Sequence, residues 1–574
     1  MLYFITVWIF LSITCSIVGT AVLQGLQANC FVRAGDRIIV AIWLGLVILA
    51  IALLTVSFGL PLSPWVGAMV AASLCGLSLR SKRTRAEIAR LRLQFAIFER
   101  LGLLALAATI AASVCRQVTW FDTATYHYGA IQWLSKYGAV PGLALLNPQF
   151  GFVSAWFALA APLNAPVFQG RVCAAINGFV LFIAVLHFCI SLFHLAARKA
   201  QQSDWLVLIF SLLTIPALLL LPDLSWILIS PSPDIPIIFL IEAIAWSILI
   251  IAKPSTENPS TIQTADLMPL ILSTGAVSIK LTALPLLFIS VLFYCGGRGV
   301  TWQRLLAGTG VAIGLLLPIL ALGLLTTGCP AYPSSFFCLD LPWSQTLQDT
   351  TTMAGITRVW GTWLGSAPAG IHPLLWVVWQ WVSIKRSGKV ILVATLFSGF
   401  AIFYVLRAAK ANPNKGLLWV MTLALVGSGF ILTQAPIMRM GMGYVVLLPV
   451  LAIATFCQTK FQVMARANTL RGDDLGFTNL NHLKKWPILF GLAGSIAMGL
   501  SNQSIQTVLL WPPLPHRPDL LQRQVNDVTY FSPAKPPWAC WAAPLPCAVK
   551  PAIDIKLRDP SRGLGAGFVR FVPR

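Results

Sequence analysis

The chain has 574 residues, of which 57% are hydrophobic and 10% charged, a balance outside that of soluble globular domains. Lys and Arg number 40 against 18 Asp and Glu, a formal charge of +22. That excess collects in short loops between apolar runs, as positive-inside topology requires. No basic patch lies in a folded soluble module, so nucleic acid is not an expected partner.

Apolar runs of about 18 or more residues recur, each long enough to cross a ~30 Å hydrocarbon core as a helix. Backbone polar groups in lipid must satisfy one another locally, which favours helices. The expected class is an all-α polytopic membrane protein with about 12–15 transmembrane helices and large outer loops.

Residues 1–26 are too long and too uniformly apolar for a cleaved signal peptide and lack a basic start, so they read as a retained helix. Helices near 38–58 and 62–79 follow. Residues 80–100 carry seven Lys/Arg against two Glu, the strongest cytoplasmic marker in the chain. The helix near 101–116 then leaves the cytoplasm and delivers Asp122 to the outer face. Residues 1–100 thus form three helices and a basic cytoplasmic loop, 101–504 the main membrane module, and 505–574 a Pro-rich outer tail.

In the outer loop 116–170, the apolar stretch GFVSAWFALAAPL is too short for a span and reads as an interfacial helix. Spans are expected near 171–193, 205–221 and 235–252. Residues 268–296 hold Lys280 at their middle; a lysine at the bilayer centre is costly, and a hairpin with its tip near Lys280 avoids that cost. A further helix at 304–327 leads to a second outer loop, 328–370. The charges leave 371–415 open. The reading adopted makes HPLLWVVWQWV interfacial, with helices at 389–406 and 416–434. It places APIMRMGMGY outside, the basic loop 459–485 inside and the tail outside.

Among 12 cysteines, Cys329 and Cys338 flank PAYPSSFF, and Cys540 and Cys547 flank WAAPLP. All four fall outside in this topology, where such short proline-containing separations suit disulfide loops. Free cysteines are the alternative. Neither pair has zinc-site spacing.

Asp122, in WFDTATYHY, is an isolated acid at a membrane boundary. It is a general base, a metal ligand or simply a helix cap. If 122–129 is helical, Tyr126 shares its face, whereas His127 points away toward Thr123 and Ile131. The neighbouring aromatics fit an interfacial belt or a sugar-stacking surface. Asp234, in SPSPDIP, caps a helix or belongs to a site; Glu242 should face the protein interior. Lys280 and Arg439 are isolated cations that either snorkel to headgroups or neutralise a phosphate; Arg171 is a third such candidate. No GxxxxGK[ST], HExxH or GxSxG is present, so a nucleotide-fuelled or zinc-protease reading has no support.

The order of these features resembles the GT-C class of membrane glycosyltransferases: a helix entering an outer loop that opens with Asp and aromatics, an Arg-led helix (GRVCAAINGF), a second outer Asp (SPSPD), and a short helix ending in Lys (AVSIKLTALPLL). In finer detail, D-x-x-x-YHY, SPDIP, IKLTALP, APIMRMGMGY and C-W-x-A-P-L-P-C resemble a bacterial family of uncharacterised polytopic proteins, with matches spread over about 115–550. The GT-C resemblance implies a multi-pass inner-membrane enzyme that transfers a sugar from a polyprenyl-phosphate donor to an envelope acceptor, in polysaccharide chemistry on the outer face. Asp122 would be the catalytic base. Tyr126, His127, Arg171, Asp234, Lys280 and Arg439 would bind substrate, with lipid as the surrounding partner. Thr123 follows Asp122 where that class often has a second acid, so no metal is assigned and a divalent ion is left open. A transporter or flippase, or a polymerase of lipid-linked saccharides, is the alternative.

Overall fold

The structure is a computed structural model that describes residues 1–93, 97–252, 264–296, 301–359, 367–383, 386–411, 415–435, 437–471 and 510–571. It opens on an antiparallel hairpin of α1 (Leu2–Gly25) and α2 (Ala34–Val56). A Cβ on Gly19 would run into the Ala41 carbonyl and one on Gly45 into the Cys15 carbonyl. The two backbones therefore approach as closely as small residues allow, the usual means of helix association in lipid. Helix α3 (Pro64–Leu79) starts with Ser63 capping the Val66 N–H and a proline in its first turn. The basic α4 (Lys82–Leu93) is tied to α2 by an Arg37–Glu87 ion pair at 2.7 Å, and α5 (Ile97–Val114) leads on.

The segment that follows is irregular: a π-turn at Thr123–His127, then α6 (Tyr128–Tyr137), α7 (Leu143–Leu146) and α8 (Ala155–Ala160). The expected interfacial helix in GFVSAWFALAAPL is revised here. Only α8 is α-helical, opened by a Ser154 cap and passing into a 3₁₀ turn at Pro162. Its residues are buried in protein, with Trp156 wholly enclosed.

Helices α9 (Ala175–Ala196) and α10 (Gln202–Leu220) follow, α10 begun by a capping box between Gln201 and Asp204. The short α11 (Pro222–Leu228) leads to α12 (Asp234–Ile251), which is buried along almost its whole length. Helices α13 (Leu267–Ile279) and α14 (Leu284–Gly296) form a hairpin that breaks at Lys280. The largely exposed α15 (Trp302–Thr327) ends at Gly328, whose φ of +80° only glycine adopts freely. Then come α16 (Leu347–Val359), α17 (Pro373–Ser383), α18 (Arg386–Ala411), α19 (Lys415–Gln434) and α20 (Met438–Arg471).

Nine of the described helices are long and apolar enough to cross a membrane, and shorter apolar helices accompany them. The chain is an all-α, multi-pass membrane protein. In the region the charges left open, α17 and α18 are separate helices. The expected basic loop at 459–485 is helical as far as Arg471, and its remainder lies outside the described residues.

The tail holds two small antiparallel hairpins, β1 (Leu520–Val525) with β2 (Val528–Pro533) and β3 (Ile555–Leu557) with β4 (Phe568–Arg570). It is tied to one end of the bundle by backbone bonds: Trp541 N–H to the Ala124 carbonyl at 2.7 Å, Ala552 to Leu145 at 2.8 Å and Phe568 to Pro141 at 2.9 Å. The Met1 ammonium donates to the Leu510 carbonyl at 3.1 Å, so the N-terminus lies at this end too. Loop 328–370 meets the tail here as well, since Arg570 bonds Asp349 at 2.8 Å beside its partner in the tail, Asp554, also at 2.8 Å. Disulfides join Cys329 to Cys338 and Cys540 to Cys547.

Candidate functional site

The site is assembled from helix ends. Asp234 opens α12, where the helix dipole favours an anion, and Lys280 closes α13, where it favours a cation. Arg439 lies in the first turn of α20, where the dipole disfavours a cation, so its position depends on carboxylate partners. Asp122 immediately precedes the π-turn.

These elements bring Asp122, Asp234, Lys280 and Arg439 into one cluster. Arg439 Nη1 donates to Asp122 Oδ2 at 2.5 Å and lies 3.8 Å from Asp234 Oδ2. The Lys280 ammonium pairs with Asp234 Oδ1. Ser232 Oγ donates to the other Asp234 oxygen at 3.0 Å. The Arg439 guanidinium also stacks over the Trp120 ring, 4.9 Å from its centroid. Two anions thus balance two cations, with the Asp234 side chain 2% exposed and that of Asp122 17% exposed. Both cations are paired with carboxylates of the protein, and Asp234 does not act as a side-chain cap.

The surrounding residues fix this arrangement. Ser154 Oγ donates to the Ile279 carbonyl at 2.7 Å, anchoring the α13 end beside Lys280. Tyr444 OH donates to the Thr282 carbonyl at 3.1 Å, joining α20 to the hairpin tip. Asn177 Nδ2 donates to the Ser232 carbonyl at 3.1 Å, and its Oδ1 accepts from Trp156 Nε1 at 2.8 Å.

Tyr126 packs its ring against His127, Phe152 and Phe157 behind Asp122. Burial, reinforced by the Asp122 charge, raises its phenol well above the usual range. His127 is buried, with Nδ1 2.9 Å from Thr123 Oγ1. Burial lowers its pKa to about 3, so it stays neutral. His127 is therefore a packed neutral ring rather than a partner for Asp122. Arg171 does not join the cluster; it stacks on Trp511 at 5.0 Å. A divalent ion between Asp122 and Asp234 would compete with Arg439 for the same carboxylates.

Sequence reasoning missed Ser232, Asn177 and Ser154, ordinary residues whose importance arises only from packing. It also missed a second ionic group at the opposite end of the bundle. There Arg33 bonds Asp36 at 2.7 Å and Asp204 at 2.8 and 3.0 Å, and His194 reaches Asp204 at 3.0 Å. Asp36, His194 and Asp204 have ligand atoms within 4.8 Å of one another, but the Arg33 guanidinium already bridges the two carboxylates. Deeper in the bundle, buried Glu242 lies 3.1 Å from His187.

No curated protein and no solved structure matches this chain. A family model described as a domain of unknown function, DUF8201, matches residues 1–446, a stretch that takes in every member of the Asp122 cluster. The chain belongs to that family.

Proposed function

We propose that the protein is a GT-C-like glycosyltransferase of the bacterial inner membrane. It would transfer a sugar from a polyprenyl-phosphate donor to an envelope acceptor on the outer face. The observation that carries this reading is the charge-balanced Asp122–Arg439–Asp234–Lys280 cluster at one end of a membrane-spanning bundle.

The donor phosphate would compete with the carboxylates for Arg439 and Lys280. Arg439 can meet it bidentately and Lys280 as a point charge. Asp122, released from Arg439, would accept the proton of the acceptor hydroxyl. The hydroxyl oxygen forms a bond to the anomeric carbon as the bond from that carbon to the phosphate oxygen breaks, and the electron pair leaves with the phosphate. A positioned base supplies about 10²–10⁴-fold. Preplaced cations offset the charge that develops on the leaving group. Asp234 holds Lys280 and Arg439 in place through Ser232 and its own ion pairs.

The test compares purified wild type with Asp122→Asn on a panel of radiolabelled polyprenyl-phosphate sugars. Sugar release by wild type alone supports glycosyl transfer with Asp122 as base. Equal release by both rejects that role. Donor binding without release by either favours a transporter or flippase. The buried His187–Glu242 pair favours that second reading, because ionisable pairs inside a membrane mark proton and ion pathways.

A further inference from the structure

The loop that follows α15 carries a feature separate from the Asp122 cluster. The Cys329–Cys338 disulfide closes it into a small ring. At its tip, Phe336 and Phe337 are 76% and 85% exposed, and Leu339 beside them is also exposed. Phe337 adopts φ +61°, a conformation uncommon for bulky residues, so the backbone is held in a shape that presents two adjacent aromatic rings.

The loop does not project away from the helix that bears it. Thr327 Oγ1 donates to the Cys329 carbonyl at 3.1 Å. The Pro330 and Cys329 carbonyl oxygens lie 2.7 and 2.9 Å from where a Cβ on Gly323 would be, a full turn back along α15. The chain thus folds back down the flank of a helix whose other side chains, such as Ile313 and Leu317, are exposed along the membrane span. The inward side of the loop is fixed: Tyr332 is buried against Gly151, with its ring 5.7 Å from Phe152. No charged residue occurs between Arg304 and Asp340.

We propose that the Phe336–Phe337 tip inserts into the lipid leaflet at the Asp122 end of the bundle, as an anchor to the bilayer. An uncharged, covalently closed loop with a rigid aromatic pair at the level of a spanning helix's last turn matches the membrane interface, where aromatic rings concentrate. Exposed in water, the same pair would be a persistent apolar patch. The anchor does not depend on glycosyl transfer.

The experiment is hydroxyl-radical footprinting of the wild-type protein in phosphatidylcholine–phosphatidylglycerol nanodiscs. Phe336 and Phe337 should be oxidised more slowly than Phe571, a residue of the same intrinsic reactivity, although they are the more exposed residues in the protein itself. A second measurement places a fluorescent amino acid at position 337 by amber suppression. Lipids carrying a doxyl group near the headgroup should quench it and aqueous iodide should not, with position 553 in the tail as the reverse control. Oxidation of Phe336 and Phe337 at the rate of Phe571, or iodide quenching at 337 equal to that at 553, would overturn the proposal. Either result would leave the tip free in water as a surface for a protein partner.

Discussion

Arg439 Nη1 lies 2.5 Å from Asp122 Oδ2, across 317 residues of sequence, and the same nitrogen faces Asp234. Asp122, the only acid in residues 117–169, is thus held by a cation from the last described membrane helix. The resting cluster is closed on itself, and an incoming anion has to compete for Arg439.

Removing one member of the cluster should cost more than removing a matched pair. Arg439→Ala leaves Asp122 and Asp234 without their shared partner and should destabilise the protein by about 3–5 kcal/mol. Arg439→Ala combined with Asp122→Ala should recover part of that loss. A double-mutant cycle on thermal midpoints in detergent checks this; strictly additive effects would show that the pair is uncoupled. Arg439→Lys keeps the charge but loses the guanidinium fork, and should recover stability better than donor binding.

Acid should weaken the fold through His127. Its folded pKa is lowered to about 3 by burial, against 6.5 unperturbed. Between those values the unfolded chain binds the proton and the folded chain does not, so stability falls as the pH drops below 6.5. The slope is about 1.4 kcal/mol per pH unit. Thermal midpoints of wild type and His127→Gln from pH 7 to 4 measure it. The variant should show a shallower decline, and parallel curves would rule His127 out as the source.

At the opposite end, Asp204→Ala should be destabilising without touching the proposed chemistry. It removes the two oxygens that accept from Arg33 Nη1 and Nη2, and the partner of His194, in a side chain 1% exposed, leaving Arg33 with Asp36 alone. The expected cost is about 3–5 kcal/mol, with turnover per folded molecule unchanged. A specific loss of turnover with normal stability would mean that the Arg33 cluster takes part in function.

The α1–α2 contact should tolerate nothing larger than glycine at its closest points. Gly45→Val would push its side chain into the Cys15 backbone, and overpacking of this kind costs about 1–3 kcal/mol. Gly59→Val, where nothing lies within 4 Å, is the control. Equal thermal midpoints for the two variants would contradict the close crossing.

The sequence by itself determined the solvent of this protein, its helical class and much of its helix order. Hydrophobic length and the placement of Lys and Arg act locally and additively along a chain, and they can be read without knowing the fold. The break at Lys280 was legible for the same reason, because a lysine within an apolar run is costly wherever the run packs. Asp122, Asp234, Lys280 and Arg439 could each be picked out as charges in apolar surroundings. What no local property encodes is that α12, α13 and α20 end at one place, so that four charges drawn from across the chain neutralise one another. The tertiary structure also decided that Arg171 stacks elsewhere, that His127 is a neutral packed ring, and that the apolar stretch around Trp156 is buried in protein. Composition reports that a segment avoids water; whether lipid or another helix covers it depends on which surfaces fit together.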